Sequence, residues 1–235
     1  MESFITFLTT YLLTLETNYR WPKRPPKTPL QVPMSAYQVA DNGMTMCINL
    51  KRHLTDEWRK ADMTQKYQLA HWIVKDWGGV RANAPDRIQQ YVDRIIASDI
   101  PTGVAGVASF SKILSVVDCT RYAIYDARVA AGLNAVQLLF PTAEPRYFPH
   151  VPSRNNTIRR FSDWFAARPP DNAWEPVPRD SAYSVYCQLL HDLKPHVSGH
   201  EIYHIEMALF SAAPSLCQRA MEIPALEPAL RKPGL

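Results

Sequence analysis

Two short segments carry the side chains best suited to chemistry. They are Ser111-Lys112-Ile113-Leu114 and, fourteen residues on, Tyr125-Asp126-Ala127-Arg128-Val129. Their apolar surroundings predict that Lys112 and Asp126 begin two consecutive helices. A lysine among Val107, Phe110, Ile113, Leu114, Val116 and Val117 is partly desolvated. Desolvation favours the neutral amine, and a neutral amine is a nucleophile. Buried lysines are rare unless paired or used, and Asp126, at the start of the next helix, is the candidate carboxylate to pair this one. An ionised aspartate at a helix N-terminus can stabilise a developing cation or orient an attacking group. Its plainer role is an N-cap that satisfies free backbone N–H groups.

The elements that must position this pair read as helices. Phe4, Phe7, Leu8, Tyr11, Leu12 and Leu15 recur at helical spacing and predict a first helix over 2–19. A second is expected over 35–49. A third starts at Thr55-Asp56-Glu57, with acidic residues at its positive end, and stops at Gly78-Gly79. A fourth covers 84–98 with Pro85 near its start, and a fifth covers 107–117. After a short extended link at 122–125, a sixth begins at Asp126 and carries Val129, Leu133, Val136 and Leu139. Ser153 is the expected cap of a seventh, which holds Ile158, Phe161, Trp164 and Phe165. An eighth spans 179–194 and a ninth 201–220, broken or bent at Pro214. The chain has 20 prolines against 8 glycines, and many prolines sit in connectors such as Pro22 to Pro33. Few runs alternate as strands do. The fold class is therefore all-α: one helical domain over 1–223, formed of two lobes sharing a cleft, and a loose proline-rich tail at 224–235.

Composition narrows the setting. The 235 residues suffice for one sizeable core, and 46% hydrophobic residues exclude a disordered chain. A net charge of +4 permits a polyanionic partner without requiring one. Cys47, Cys119, Cys187 and Cys217 form no CxxC pair and read as reduced thiols of a cytoplasmic protein, not as a metal knuckle. No signal peptide or membrane span is expected.

One competing motif stands at His200-Glu201-Ile202-Tyr203-His204, which fits the HExxH pattern of zinc hydrolases. No third ligand follows at a family spacing, and helix-start polar residues are the plainer reading. No metal and no cofactor are expected.

The lysine–aspartate segment resembles the helix-hairpin-helix superfamily of DNA glycosylases. There a V-D-x-x-V aspartate opens the helix after the hairpin, and Tyr125-Asp126-Ala127-Arg128-Val129 matches with tyrosine in the first place. The likeness is nearest to the archaeal 8-oxoguanine glycosylase branch. In that branch a lysine precedes a V-D-x-R-V segment, and a later L-H-L-D-x-L-L-W helix closes the domain. Lys112, Asp126 and Arg128 match the first two parts, and the segment from Tyr203 to Phe210 looks like the third, with Glu206 in place of aspartate. The resemblance covers residues 100–215. It departs where the hairpin L-P-G-V-G is replaced by Ile100-Pro101-Thr102-Gly103-Val104-Ala105-Gly106, and in a shortened lysine-to-aspartate spacing. Size and motifs also resemble a bacterial branch of small antiphage glycosylases that act on glucosylated hydroxymethylcytosine.

The resemblance implies a helix-hairpin-helix glycosylase-like fold and a monomer whose partner is double-stranded DNA carrying a modified base. Asp126 and Lys112 would be catalytic. Ser109, Ser111, Tyr125, Trp77 and Glu206 would line the base pocket. Arginines and helix N-termini suit phosphates, which nominates Arg121, Arg128, Arg154, Asn155, Arg159 and Arg160 for DNA binding; an ordinary solvated basic face is the alternative. Trp72, Trp77, Tyr37 and Trp164 are candidate stacking residues, or core. The competing functions are an 8-oxoguanine-type repair glycosylase/lyase, a non-catalytic helical DNA-binding module, and the zinc hydrolase.

Overall fold

A computed structural model describes residues 1–20, 42–167 and 174–223. Among them run α1 (Glu2–Tyr11), a 3-10 turn (Leu12–Thr14), α2 (Leu15–Asn18), α3 (Gly43–Lys60), α4 (Met63–Trp72) and a π-helical turn (Ile73–Trp77). Then come α5 (Pro85–Ile96), α6 (Val107–Val117), α7 (Ala127–Leu139), α8 (Asn156–Ala167), α9 (Ala182–Leu193) and α10 (Ile202–Met221). The strands among the described residues are Arg146–Tyr147 and Glu175–Pro176, paired in parallel. The protein is mostly helical, as its periodicity predicts. The tail at 224–235, Tyr37 and the connector around Pro22 to Pro33 lie outside the described residues.

Local chemistry explains where helix boundaries depart from expectation. Asn42 caps α3 by accepting the Thr45 N–H at 2.8 Å, so Thr55-Asp56-Glu57 falls inside that helix. A separate start lies at Asp62, where Asp62 and Gln65 accept each other's backbone N–H at 2.9 Å. The first helix is interrupted by the 3-10 turn at Leu12–Thr14. α10 passes through Pro214 without ending. Proline removes one N–H there, but Leu209, Ala212, Ala213, Leu216 and Cys217 are all buried, and that packing holds the helix together. Asn155, not Ser153, accepts the Ile158 N–H that opens α8, while Ser153 accepts from Asn155.

α7 is the buried axis. Val129, Leu133 and Val136 are fully enclosed. Gly132 permits the close approach of α10, because a Cβ there would lie 3.1 Å from the Leu209 carbonyl oxygen. Asn134 exchanges two hydrogen bonds with the Phe148 backbone, and Gln137 does the same with Arg146.

The link from α6 to α7 is held by buried hydroxyls. Tyr183 donates to the Ala123 carbonyl and Tyr186 to the Ile124 carbonyl. Ser111 accepts the Tyr125 N–H at 3.1 Å and donates to the Tyr125 carbonyl. Burial pushes both tyrosines well above their ordinary range, so they stay neutral donors. Three consecutive residues before Asp126 are thereby fixed. The four cysteines are buried and form no disulfide among the described residues. No described helix is long and apolar enough to cross a membrane.

Candidate functional site

Lys112 sits in the middle of α6 rather than at its start. Its side chain is 6% exposed, its alkyl stem lies on Gly78, and its Nζ donates to the Ala108 carbonyl at 2.7 Å, one turn back. Burial pushes the ammonium below the ordinary lysine value; Asp126 and Glu206 oppose that, and Lys51 adds to it. Asp126 is the N-cap of α7. Its Oδ1 accepts from Arg128 N–H at 2.9 Å and Val129 N–H at 3.1 Å. The plain cap role is therefore real, and both bonds fall on one oxygen of a half-buried carboxylate.

Two hollows meet at this pair. The inner one, about 140 Å³, has aromatic walls from Tyr19, Trp77 and Phe210 and charged groups from Lys112, Asp126, Arg128 and Glu206. The outer one is an open groove of about 610 Å³ that runs past Gly79, Arg81, Pro152, Arg154 and Asn155. Gly78, Lys112, Asp126 and Arg128 line both. Two further hollows, of about 490 and 580 Å³, lie between α4 and α5 and beside the N-terminus, and neither contains Lys112 or Asp126.

Glu206 stands at the inner cavity, where its Oε2 meets Lys51 Nζ at 2.9 Å. Burial pushes the Glu206 carboxyl up, and the charge and hydrogen bond of Lys51 oppose it. Lys51, Gly78 and Arg81 escape sequence reasoning. Lys51 does leave a trace. It continues the buried face of α3 through Met44, Cys47, Ile48, Thr55 and Trp58, where a charged residue is out of place.

The other nominated residues divide. Arg128 lies over the Phe210 ring at 4.6 Å and faces both hollows. Arg154 lines the groove and donates to the Gly79 carbonyl at 2.8 Å, and Asn155 lines it while capping α8. Arg159 and Arg160 are exposed on α8 outside the groove lining, with Arg159 donating to Asn156. Arg121 is exposed over the Tyr122 ring, away from both hollows. Ser109 accepts from Asn83, and Ser111 fastens the interhelical link. The Tyr125 side chain is buried with its hydroxyl on the Pro149 carbonyl. These three support the pocket from behind rather than lining it. Trp77 and Glu206 do line it. Trp72 belongs to the hollow between α4 and α5, and Trp164 packs on Phe161.

The loop at the hairpin position is fastened to the chain at the start of α9. Val104 N–H donates to the Arg179 carbonyl, and the Thr102 carbonyl accepts the Tyr183 and Ser184 N–H groups at the start of α9. The amide of Val104 is thus occupied within the fold. The HExxH residues do not share a helix face. His200 and Glu201 precede α10, and His204 Nδ1 accepts the Glu201 N–H at 2.9 Å. Glu201 pairs with Lys194 at 2.7 Å. Among the described residues no group of His, Cys, Asp and Glu is placed to hold a metal.

Compared with protein-family models, curated proteins and solved structures, the chain matches none of them.

Proposed function

We propose that the protein is a DNA glycosylase that flips a modified base into the inner cavity and breaks its N-glycosidic bond. One observation carries this reading: Lys112 and Asp126 face the point where an aromatic-walled cavity opens into an arginine-lined groove. Chemistry on a base requires taking it out of the stack, at a cost of a few kcal/mol. Tyr19, Trp77 and Phe210 offer rings to receive it. Arg81, Arg128 and Arg154 offer the groove's positive charge to the strand's phosphates.

The sugar of a flipped nucleotide then lies at the junction, next to both groups. Positive charge grows on it as the base departs, and the Asp126 carboxylate stabilises that charge. As the free amine, Lys112 attacks C1′ while the base leaves with the bonding electrons. The C1′ adduct opens to an imine, and β-elimination then cuts the strand. If Lys112 is protonated instead, water attacks and the product is an uncut abasic site. The modified base of this reading is glucosylated hydroxymethylcytosine of phage DNA, and hence antiviral defence, supported by the resemblance in size and motifs to the small antiphage glycosylases; a compact lesion such as 8-oxoguanine is the alternative.

Borohydride trapping on glucosylated duplex DNA tests the reading. The expected result is base release with a covalent adduct mapped to Lys112 and lost in Lys112→Gln. Base release without an adduct assigns the attack to water. Tight binding with no base release makes the protein a binding module and overturns the proposal.

A further inference from the structure

We propose that the buried Lys51–Glu206 pair is a positioning device for Lys112: it commits the carboxylate at the cavity wall, so that the Lys112 amine is left without an ion-pair partner. This rests on Lys112 acting as the nucleophile described above. The geometry is a sealed contact on one side of the cavity. Lys51 Nζ lies 2.9 Å from Glu206 Oε2, and the two side chains are 3% and 2% exposed. Lys112, by contrast, donates to a neutral carbonyl, and among the described residues no carboxylate lies within ion-pair distance of it.

The charged groups around Lys112 are few. α7 and its cap contribute Arg128 and Asp126, α10 contributes Glu206, and α3 contributes Lys51; Tyr19, the residue after α2, adds a neutral phenol. The π-helical turn and the residue after it present Trp77 and Gly78, which carry no charge. The outer groove adds Arg81 and Arg154. Asp126 divides its charge between Lys112 and two backbone N–H groups. Two buried lysines thus stand near Glu206, and the contact shows that Lys51 holds it. A buried amine denied a carboxylate favours its neutral form. The direction of the Lys112 shift agrees, with burial as its main cause and Lys51 contributing.

The test reads the amine itself, without DNA. Competitive acetylation of the full chain with acetic anhydride, followed across pH by mass spectrometry of the Lys112 peptide, gives the labelling midpoint. Lys51→Met frees Glu206 to pair with Lys112, so the midpoint rises by about one pH unit and labelling at neutral pH slows about tenfold. Lys51→Gln, a polar replacement that still fits against Glu206, shifts it the same way. Lys51→Arg restores the wild-type profile. Glu206→Gln removes the anion and moves the midpoint down. A general loosening of the core would instead move all of these variants upward, toward an ordinary lysine. Midpoints unchanged in Lys51→Met and Lys51→Gln, or raised equally in Glu206→Gln, overturn the proposal. Base release from modified DNA is measured separately, so a protein that excises nothing still returns a labelling result.

Discussion

Gly78 and Lys112 are in direct contact: a Cβ on residue 78 would run into Lys112 Cδ and lie 2.6 Å from the Ile73 carbonyl oxygen. The φ of Gly78 is ordinary for any residue, so the need for glycine is one of space. The π-helical turn delivers this bare backbone to the wall of both hollows, and such turns are frequent at functional sites.

Gly78→Ala therefore tests whether the lysine must lie where it does. The added methyl meets backbone on one side, so the stem of Lys112 has to move. Base release is expected to fall at least about tenfold, with a loss of about 1–3 kcal/mol in urea unfolding, the usual cost of overpacking. Full activity would mean that Lys112 has no required position.

Asp126 carries a cap and, in the proposed reaction, a charge, and two substitutions separate them. Asparagine caps as well as aspartate, so Asp126→Asn is expected to stay within about 0.5 kcal/mol of wild type in stability while base release is nearly abolished. Asp126→Ala loses both roles and costs about 1 kcal/mol. Wild-type excision by Asp126→Asn would reduce the residue to a cap.

The groove sorts the arginines. Arg154→Ala removes a charge from the groove lining and should weaken duplex binding, lowering the slope of log affinity against log salt by about one. Arg121→Ala, away from the groove, should leave that slope alone. Fluorescence anisotropy across a salt series measures both. Equal effects would place the strand elsewhere.

His204 supplies a pH test with a definite sign. Burial, helped by the nearby His200, pushes its pKa down to about 4. The unfolded value is about 6.5, so between these values the unfolded chain binds the extra proton and stability falls as pH drops. The imidazole is only partly buried, so the loss is about 1–2 kcal/mol after allowance for solvent screening. Urea unfolding at pH 6.5 and pH 4.5 should show His204→Gln with a shallower decline than wild type. Identical declines would remove His204 from the acid response.

Much of the helical layout was legible, because α5 buries Ile88, Tyr91, Val92 and Ile95, and α8 buries Ile158, Phe161 and Phe165, each at helical spacing, and Asp126 is a strong cap. Helix ends were less so. Thr55-Asp56-Glu57 imitates a start that Asn42 and Asp62 supply instead, and Pro214 imitates a stop that buried neighbours override. At the site, Lys112 and Asp126 could be paired in sequence because one short link joins their helices. Lys51 and Glu206 are 155 positions apart, and only the packing of α3 and α10 onto the core brings them together. Gly78 is invisible as a site residue until the stem of Lys112 is seen on it. Ser109, Ser111 and Tyr125 lie close to Lys112 and Asp126 in sequence, but the two serines turn away on α6 and the Tyr125 hydroxyl is fastened to the Pro149 carbonyl, behind the pocket.

The most direct measurement is a panel of duplexes, each carrying one modified base and including glucosylated hydroxymethylcytosine and 8-oxoguanine, incubated with wild type, Lys112→Gln and Asp126→Asn. Abasic sites are scored with and without alkali. The expected result is abasic sites on at least one duplex, strongest with the glucosylated base, and nearly lost in Asp126→Asn. No abasic sites on any duplex, from wild-type protein that binds DNA, would contradict base excision at this site.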